Sequence, residues 1–185
     1  MNAATLNRVL EAQDRQGRWL FAAGQLRRLV GDSPKAFEAA VRRHCRRGFL
    51  ERVAHGLYAN PRAHSAPVNR LEAVARRLRP LDYCYVSLES RLTELGLISQ
   101  IPGVLTLMTS GRSQRYETAY GGIEFTHTAR DIPSLIDSGQ VSFDESRGIH
   151  VASPARARSD LKRVGRNLDL LLRDGEARET DAAAG

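Results

Sequence analysis

Basic side chains recur at helical spacing between residues 33 and 48. At 100° per residue, one side of such a helix carries Lys35, Arg42 and Arg46, together with Arg43. Guanidinium and ammonium groups bind phosphate oxygens, and guanidinium groups also donate to guanine edges. The candidate contacts to nucleic acid are Ser33, Lys35, Arg42, Arg43, Arg46, Arg47 and His55. Base contacts are expected from one or both of Arg42 and Arg46, and phosphate contacts from Arg47 and His55.

Both ends of this helix are marked in the sequence. Ser33 is suited to the N-cap, and Pro34 has a fixed φ and lacks an N–H that the first helical position would leave unpaired. Gly48 is expected to end the helix. The side opposite the basic residues is expected to pack, and it is formed by Phe37, Ala40, Val41 and His44.

Two further helices are predicted before residue 33. The first ends at Gly17 and places four residues on its packed side: Leu6, Val9, Leu10 and Gln13. A short strand at residues 19–21 precedes a second helix over residues 23–30, with Leu26 and Leu29 inward. A helix, a tight turn and a second helix are typical of a helix-turn-helix, which sets its second helix into the major groove. The alternative is a basic, solvated helix on another small α/β domain.

A β-hairpin is predicted directly after the basic helix. Residues 49–53 alternate as a strand, residues 54–56 can turn, and residues 57–59 can return as a second strand. This hairpin corresponds to the wing of a winged helix-turn-helix. We therefore predict a winged helix-turn-helix over residues 1–64 and a connecting helix within residues 65–80.

The charge is divided unevenly along the chain. Residues 1–80 contain 16 Lys and Arg against 6 Asp and Glu, net +10, whereas residues 81–185 contain 12 against 15, net −3. A cationic first half fits neutralisation of phosphates, and a mildly anionic second half fits a different role. Arginine codons are favoured by a high-GC genome, so the preference for arginine over lysine carries little weight.

Length and composition predict a folded, cytoplasmic protein. The 185 residues, 42% of them hydrophobic, can build one medium or two small domains. No apolar run is long enough for a membrane span, and the N-terminal segment lacks the apolar stretch of a signal peptide. Cys45 and Cys84 lack the spacing of a zinc site, and we expect both to be reduced thiols.

The second half has the pattern of a small α+β domain. We predict a strand at residues 83–86, a helix capped by Ser87, a buried strand at residues 104–108, and a hairpin formed by residues 115–118 and 123–127. Two more short strands, residues 141–143 and 149–152, precede a helix from Ser153 to Leu172 with an imperfection at Gly165. This domain is predicted over residues 81–175, followed by a disordered tail at residues 176–185.

Several residues of this half invite an enzymatic interpretation, which we do not adopt. They are Arg112, Ser113, Arg115, Tyr116, Glu124 and His127. No triad spacing surrounds Ser113 or His127, and alternation places His127 on the apolar face, as a structural histidine. Glu124 lacks the Asp and Lys set of a metal nuclease. No enzymatic activity, cofactor or metal is expected. The turn of Arg112, Ser113 and Arg115 is a candidate anion or RNA contact, and a plain hairpin turn is the alternative.

Four blocks in the second half occur in a familiar order. They are SLES at residues 87–90, LISQIP at 97–102, LTLMTSGRS at 105–113 and IEFTHT at 123–128. Together they resemble the second domain of the AbiEi-like antitoxins of type IV toxin–antitoxin systems, which are related to abortive phage infection. The segment RGFLERVAHGLYA at residues 47–59 is similar to the wing of the same family.

This resemblance implies an antitoxin that represses its own operon and counteracts a nucleotidyltransferase-like toxin, without a stable complex between the two. The second domain is then the antitoxin portion, with Arg112, Ser113 and Arg115 as its candidate functional residues. Longer family members continue beyond the helix that ends here near GRNLDLLL. The alternatives are therefore a winged-helix regulator without antitoxin activity and a nucleic-acid-processing enzyme guided by a winged domain.

Overall fold

The computed structural model describes residues 1–98 and 103–171, and two compact units divide them. The first unit comprises Met1–Arg70 with Thr118–Tyr120, and the second comprises Leu71–Glu117 with the residues from Gly121 onward. The predicted LISQIP block lies partly outside the described residues, as do the helix end at Leu172 and the tail. No described helix combines the length and the apolar character needed to cross a membrane.

The first unit is a winged helix-turn-helix. Its elements are α1 (Ala3–Asp14), β1 (Leu20–Ala22), α2 (Ala23–Val30), α3 (Pro34–Arg46), β2 (Glu51–Ala54) and β3 (Leu57–Ala59). The strands form an antiparallel sheet in the order β1-β3-β2. The three helices and the predicted wing are confirmed, and the core between them is formed by Leu6, Leu10, Phe21, Leu26, Phe37, Val41 and Leu50.

Two details of this unit differ from the sequence prediction. Leu29 is 36% exposed rather than inward, because α2 packs on the core through Leu26 and Val30, which are one turn apart. Ser33 has the extended backbone of an N-cap, but its side chain makes no capping hydrogen bond. The start of α3 therefore depends on Pro34 and on tertiary packing.

The second unit is a mixed α/β domain around a six-stranded sheet. Its elements are α4 (Arg70–Leu78), β4 (Cys84–Val86), α5 (Leu88–Glu94), β5 (Val104–Thr109), β6 (Gln114–Thr118), β7 (Gly121–His127), α6 (Ile132–Asp137), β8 (Val141–Asp144), β9 (Ile149–Ala152) and α7 (Pro154–Val164). The strand order is β6-β7-β5-β4-β9-β8, with parallel pairing of β5 with β7 and of β4 with β9.

The prediction of one helix from Ser153 to Leu172 was wrong, because the helix is shorter. The helix α7 ends at Val164, and its C-cap, Gly165, has a φ of 73° in the left-handed region that L-residues avoid. A short 3-10 turn at Leu168–Leu170 follows. Arg79, directly after α4, packs against the sheet: its side chain is only 9% exposed and its guanidinium lies 5.1 Å from the Phe125 ring centre.

A buried carboxylate ties α7 to the sheet. Asp160 is fully buried and accepts hydrogen bonds from the Tyr85 hydroxyl at 3.0 Å and from Ser87 Oγ at 2.9 Å. Its other oxygen lies 2.6 Å from Arg156 Nη2, and Arg156 is itself only 4% exposed. Burial, and then the Asp160 charge, raise the pKa of Tyr85, so its hydroxyl stays protonated and donates. Ser87 thus serves the core rather than capping α5.

Removal of this carboxylate is expected to destabilise the second unit strongly. Asp160→Ala leaves the Arg156 guanidinium buried without its counter-charge, which costs about 3–5 kcal/mol. Tyr85→Phe removes one hydrogen bond and should cost about 1 kcal/mol. Urea unfolding followed by circular dichroism measures both values. A loss for Asp160→Ala as small as that for Tyr85→Phe would contradict this role, and the double variant Arg156→Met/Asp160→Leu should recover much of the loss.

Candidate nucleic-acid interface

The recognition helix α3 presents a basic face because its apolar face is buried. Phe37, Ala40, Val41 and His44 are all at most 5% exposed. Positions on the opposite side are exposed, and these are Lys35, Ala39, Arg42 and Arg46. Arg42 and Arg46 are one turn apart, so their guanidinium groups project from adjacent positions on the same face.

Arg43 occupies a different place from its basic neighbours. It is half-buried, and its Nη2 donates to the main-chain oxygen of Met1 at 3.0 Å. Next to it, burial lowers the pKa of His44, so this imidazole is neutral at physiological pH and adds no charge to the helix. The free positive charge of α3 is therefore concentrated at Lys35, Arg42 and Arg46.

The wing is the hairpin of β2 and β3. It places an arginine and a histidine side chain, Arg52 and His55, beside the basic face of α3. His55 is exposed at the turn, where Gly56 adopts the left-handed φ of 69° that a tight hairpin requires. Arg52 is exposed on β2, opposite Tyr58 of β3 in the strand register. Arg52 Nη2 lies 3.4 Å from His55 Nδ1, so the two side chains are adjacent.

Two shallow grooves run between α3 and the wing. One, of about 460 Å³, is lined by Arg42, Arg52 and His55 together with Arg27 of α2. The other, of about 520 Å³, is lined by Arg42, Arg46, Arg52 and Tyr58. A concave surface with converging guanidinium groups is suited to the phosphates and base edges of a duplex.

The structure brings together three of the seven residues predicted to contact nucleic acid. Arg42, Arg46 and His55 line the grooves, whereas Ser33, Lys35 and Arg47 are exposed outside them and Arg43 is tied to Met1. Sequence reasoning missed Arg27 and Arg52. The alternation of β2 could have indicated that Arg52 is exposed, since it lies between the half-buried Glu51 and the buried Val53.

The candidate turn of the second unit lies between β5 and β6. Arg112 and Ser113 are exposed, and Ser113 Oγ accepts from the main-chain N–H of His127 at 2.8 Å. Arg115 Nε lies 2.8 Å from Glu117 Oε1 with both side chains more than half exposed, and such a pair contributes little stability. Its charge is therefore partly offset by Glu117.

Gly111 of this turn has a packing role. A Cβ added there would lie 2.2 Å from Asp82 Oδ2, so a larger residue would require the Asp82 side chain to move. Its N–H donates to Thr109 Oγ1 at 3.1 Å, which leaves one fewer free N–H for an anion than the sequence suggested. Arg79 also holds the turn, since its Nη2 donates to the Arg112 main-chain oxygen at 3.0 Å.

His127 and Glu124 have structural partners. His127 was expected on the buried apolar face, but it is exposed because it is the last residue of β7, and its Nδ1 lies 2.9 Å from the Gly111 oxygen. Glu124 contacts the Arg166 guanidinium, which also pairs with the buried Glu89 at 2.9 Å. Among the described residues, no cluster of three or more His, Cys, Asp or Glu side chains could hold a metal ion.

The fold and the exposed basic helix place the first unit in the class of winged helix-turn-helix domains. More particularly, residues 7–61 match the family model described as transcriptional regulator, AbiEi antitoxin. The predicted resemblance to AbiEi-like antitoxins is thereby confirmed for this part of the chain. The match supports a role as a regulator of the antitoxin type.

The fold as a whole is similar to a solved structure. The crystal structure of the RV2827C protein from Mycobacterium tuberculosis superposes on 85% of this chain with a TM-score of 0.56 and 14% sequence identity. This chain spans 60% of the length of that protein. At this identity the similarity concerns the fold. A comparison with curated proteins gave no match.

We expect replacement of the groove arginines to change sequence preference as well as affinity. Arg42→Ala or Arg46→Ala should cost about 1–3 kcal/mol on the operator and less on random DNA, since base contacts carry the discrimination. Fluorescence anisotropy with both DNAs measures the difference. Arg8→Ala is a matched control, because Arg8 is an exposed arginine of α1 that lines neither groove. Equal losses on operator and random DNA for both groove variants would contradict base contact.

Proposed function

We propose that this chain is the antitoxin of a bacterial type IV toxin–antitoxin system and represses its own operon in the cytoplasm. The observation that carries this proposal is the AbiEi regulator match over residues 7–61 on a unit whose exposed recognition helix is basic. The first unit would bind the promoter through α3 and the wing. The second unit would counteract a nucleotidyltransferase-like toxin encoded beside it.

In promoter binding, the position of each basic side chain would decide whether it contacts a base or a phosphate. Arg42 and Arg46 would contact base edges, while Arg52 and His55 of the wing would contact the adjacent phosphate backbone. Lys35 and Arg47, which are exposed at the two ends of α3, would add phosphate contacts. Ser33 would contact a phosphate with its unbonded hydroxyl, and Arg43 would chiefly hold the packing of α3.

Promoter affinity is expected to depend steeply on salt. With about six phosphate contacts, a change from 50 to 200 mM salt should weaken binding by about a thousandfold, because each contact releases a condensed counterion. Anisotropy titration of the full chain on a promoter fragment tests this at several salt concentrations. Affinity that is absent, or that does not change with salt, would refute promoter binding by the basic face.

A second candidate is a winged-helix regulator without antitoxin activity. One observation favours it: the family match ends at residue 61, before the second unit begins. The two candidates differ in what the second unit does. Growth rescue in cells that express the neighbouring toxin distinguishes them.

Charge reversal at the β5–β6 turn is expected to abolish rescue and leave promoter binding intact. In the variant Arg112→Glu/Arg115→Glu, exposed cations are replaced by anions without burying any charge, so the fold should persist. The matched control is Arg130→Glu/Lys162→Glu, which changes the net charge equally at other exposed positions of the same unit. Rescue by the turn variant at normal abundance would show that the turn has no part in antitoxin activity. Leu105→Asp should abolish rescue by unfolding.

A further inference from the structure

The second unit contains a groove that the proposed function does not use. We call it the aromatic groove; its volume is about 260 Å³, and its walls come from the segment that joins α4 to β4 and from β8 and β9. Two exposed aromatic side chains line it, Tyr83 at 54% and Phe143 at 51% relative exposure. Aromatic side chains usually bury most of their surface. An exposed apolar patch formed by two of them is typical of a binding surface.

Both rings sit on fixed backbone. Phe143 belongs to the outer strand β8 and contacts the His150 ring edge-on, with the centres 5.2 Å apart. The Tyr83 N–H donates to Ser110 Oγ at 3.0 Å, and its main-chain oxygen accepts from the Ser110 N–H, also at 3.0 Å. The backbone that carries each ring is therefore held in place while the ring surfaces stay open, as a stacking platform requires.

The groove carries one uncompensated positive charge. Arg76 is exposed, and its guanidinium lies against Gly148, where an added Cβ would be 3.6 Å from Nη1. No ion pair of Arg76 occurs within residues 1–98 and 103–171. The neighbouring Asp82 is paired with Arg79 at 3.1 Å, so it does not offset Arg76.

Apart from the paired Arg79 and Asp82, the other polar side chains that line the groove are neutral. Burial raises the pKa of the Cys84 thiol to about 11, so the thiolate is not formed at physiological pH. Burial also lowers the pKa of His150, which leaves that imidazole uncharged. The groove thus combines open aromatic surface with one guanidinium that has no ion pair, that of Arg76, a composition that matches a base and its phosphate.

We propose that the aromatic groove binds one nucleotide of a single-stranded nucleic acid, with the base stacked on Tyr83 or Phe143 and a phosphate on Arg76. Stacking is available to a base only when it is unpaired, which excludes an intact duplex. The volume lies just below the roughly 300–1,000 Å³ of drug-sized ligand pockets, so it admits one nucleotide rather than a folded partner. This site is separate from the duplex interface on α3 and does not depend on the proposed antitoxin function.

Binding is tested with a labelled single-stranded oligonucleotide of about ten nucleotides, within the usual site size for such proteins. The full chain carries Arg42→Ala and Arg46→Ala in every sample, which reduces binding through α3. At least one of the two variants Tyr83→Ala and Phe143→Ala should weaken binding, measured by anisotropy, by about tenfold. Arg76→Gln should weaken it and reduce the salt slope by about one. Leu81→Ala is the matched control, since Leu81 is 95% exposed but does not line the groove, and it should change nothing.

A second readout locates the bound strand. An oligonucleotide with 4-thiouridine, crosslinked by ultraviolet light and mapped by mass spectrometry, should label peptides that contain Tyr83 or Phe143. Crosslinks confined to residues 1–70 would overturn the proposal, as would unchanged affinity of a Tyr83→Ala/Phe143→Ala variant whose circular dichroism spectrum is native. Equal binding of a free mononucleotide, with the same loss in these variants, would assign the groove to a free nucleotide and overturn strand binding.

Discussion

Burial of the apolar side of α3 is the constraint on which the first unit depends. Phe37 and Val41 lie in the core with Leu6, Leu10 and Leu26, and this contact fixes the rotation of the helix about its axis. Because the rotation is fixed, Arg42 and Arg46 must face outward. A helix that lost this packing would no longer present its guanidinium groups in one direction, whatever their number. Hydrophobic burial therefore sets the geometry of the basic face, and electrostatics acts on the result.

The wing completes this surface through strand register. Pairing of Arg52 with Tyr58 places both side chains beside the groove between β2 and α3. The register shifts between Arg52 and Ala54, where a bulge re-aims the strand before the turn. Duplex recognition would then use one rigid helix and one hairpin, both anchored in the same small core. Sites on such elements are held more precisely than sites on loops.

The second unit differs from the first because it contains buried charged side chains. Asp160 and Arg156 lie inside it, and Glu89 is held by Arg166 and Asn167 near its surface. Each of these groups is paired, as buried ions must be. Two residues of the SLES block therefore have structural roles. Ser87 donates to Asp160, and Glu89 accepts from Arg166. Among the residues that invited a catalytic interpretation, Ser113 accepts from the His127 N–H and Glu124 contacts Arg166, so both have structural partners.

The sequence by itself determined the helix-turn-helix, the wing and which side of α3 is basic. These features follow from helical periodicity, Pro34 and the turn glycines, which act over a few residues. The sequence also determined most strands of the second unit. Only the tertiary structure decided that Arg43 is tied to Met1 and that Arg52 adjoins Arg42. It likewise brought Tyr83 and Phe143 to one groove. These features depend on contacts between residues far apart in the chain, and local propensity contains no information about which distant side chain will be the neighbour.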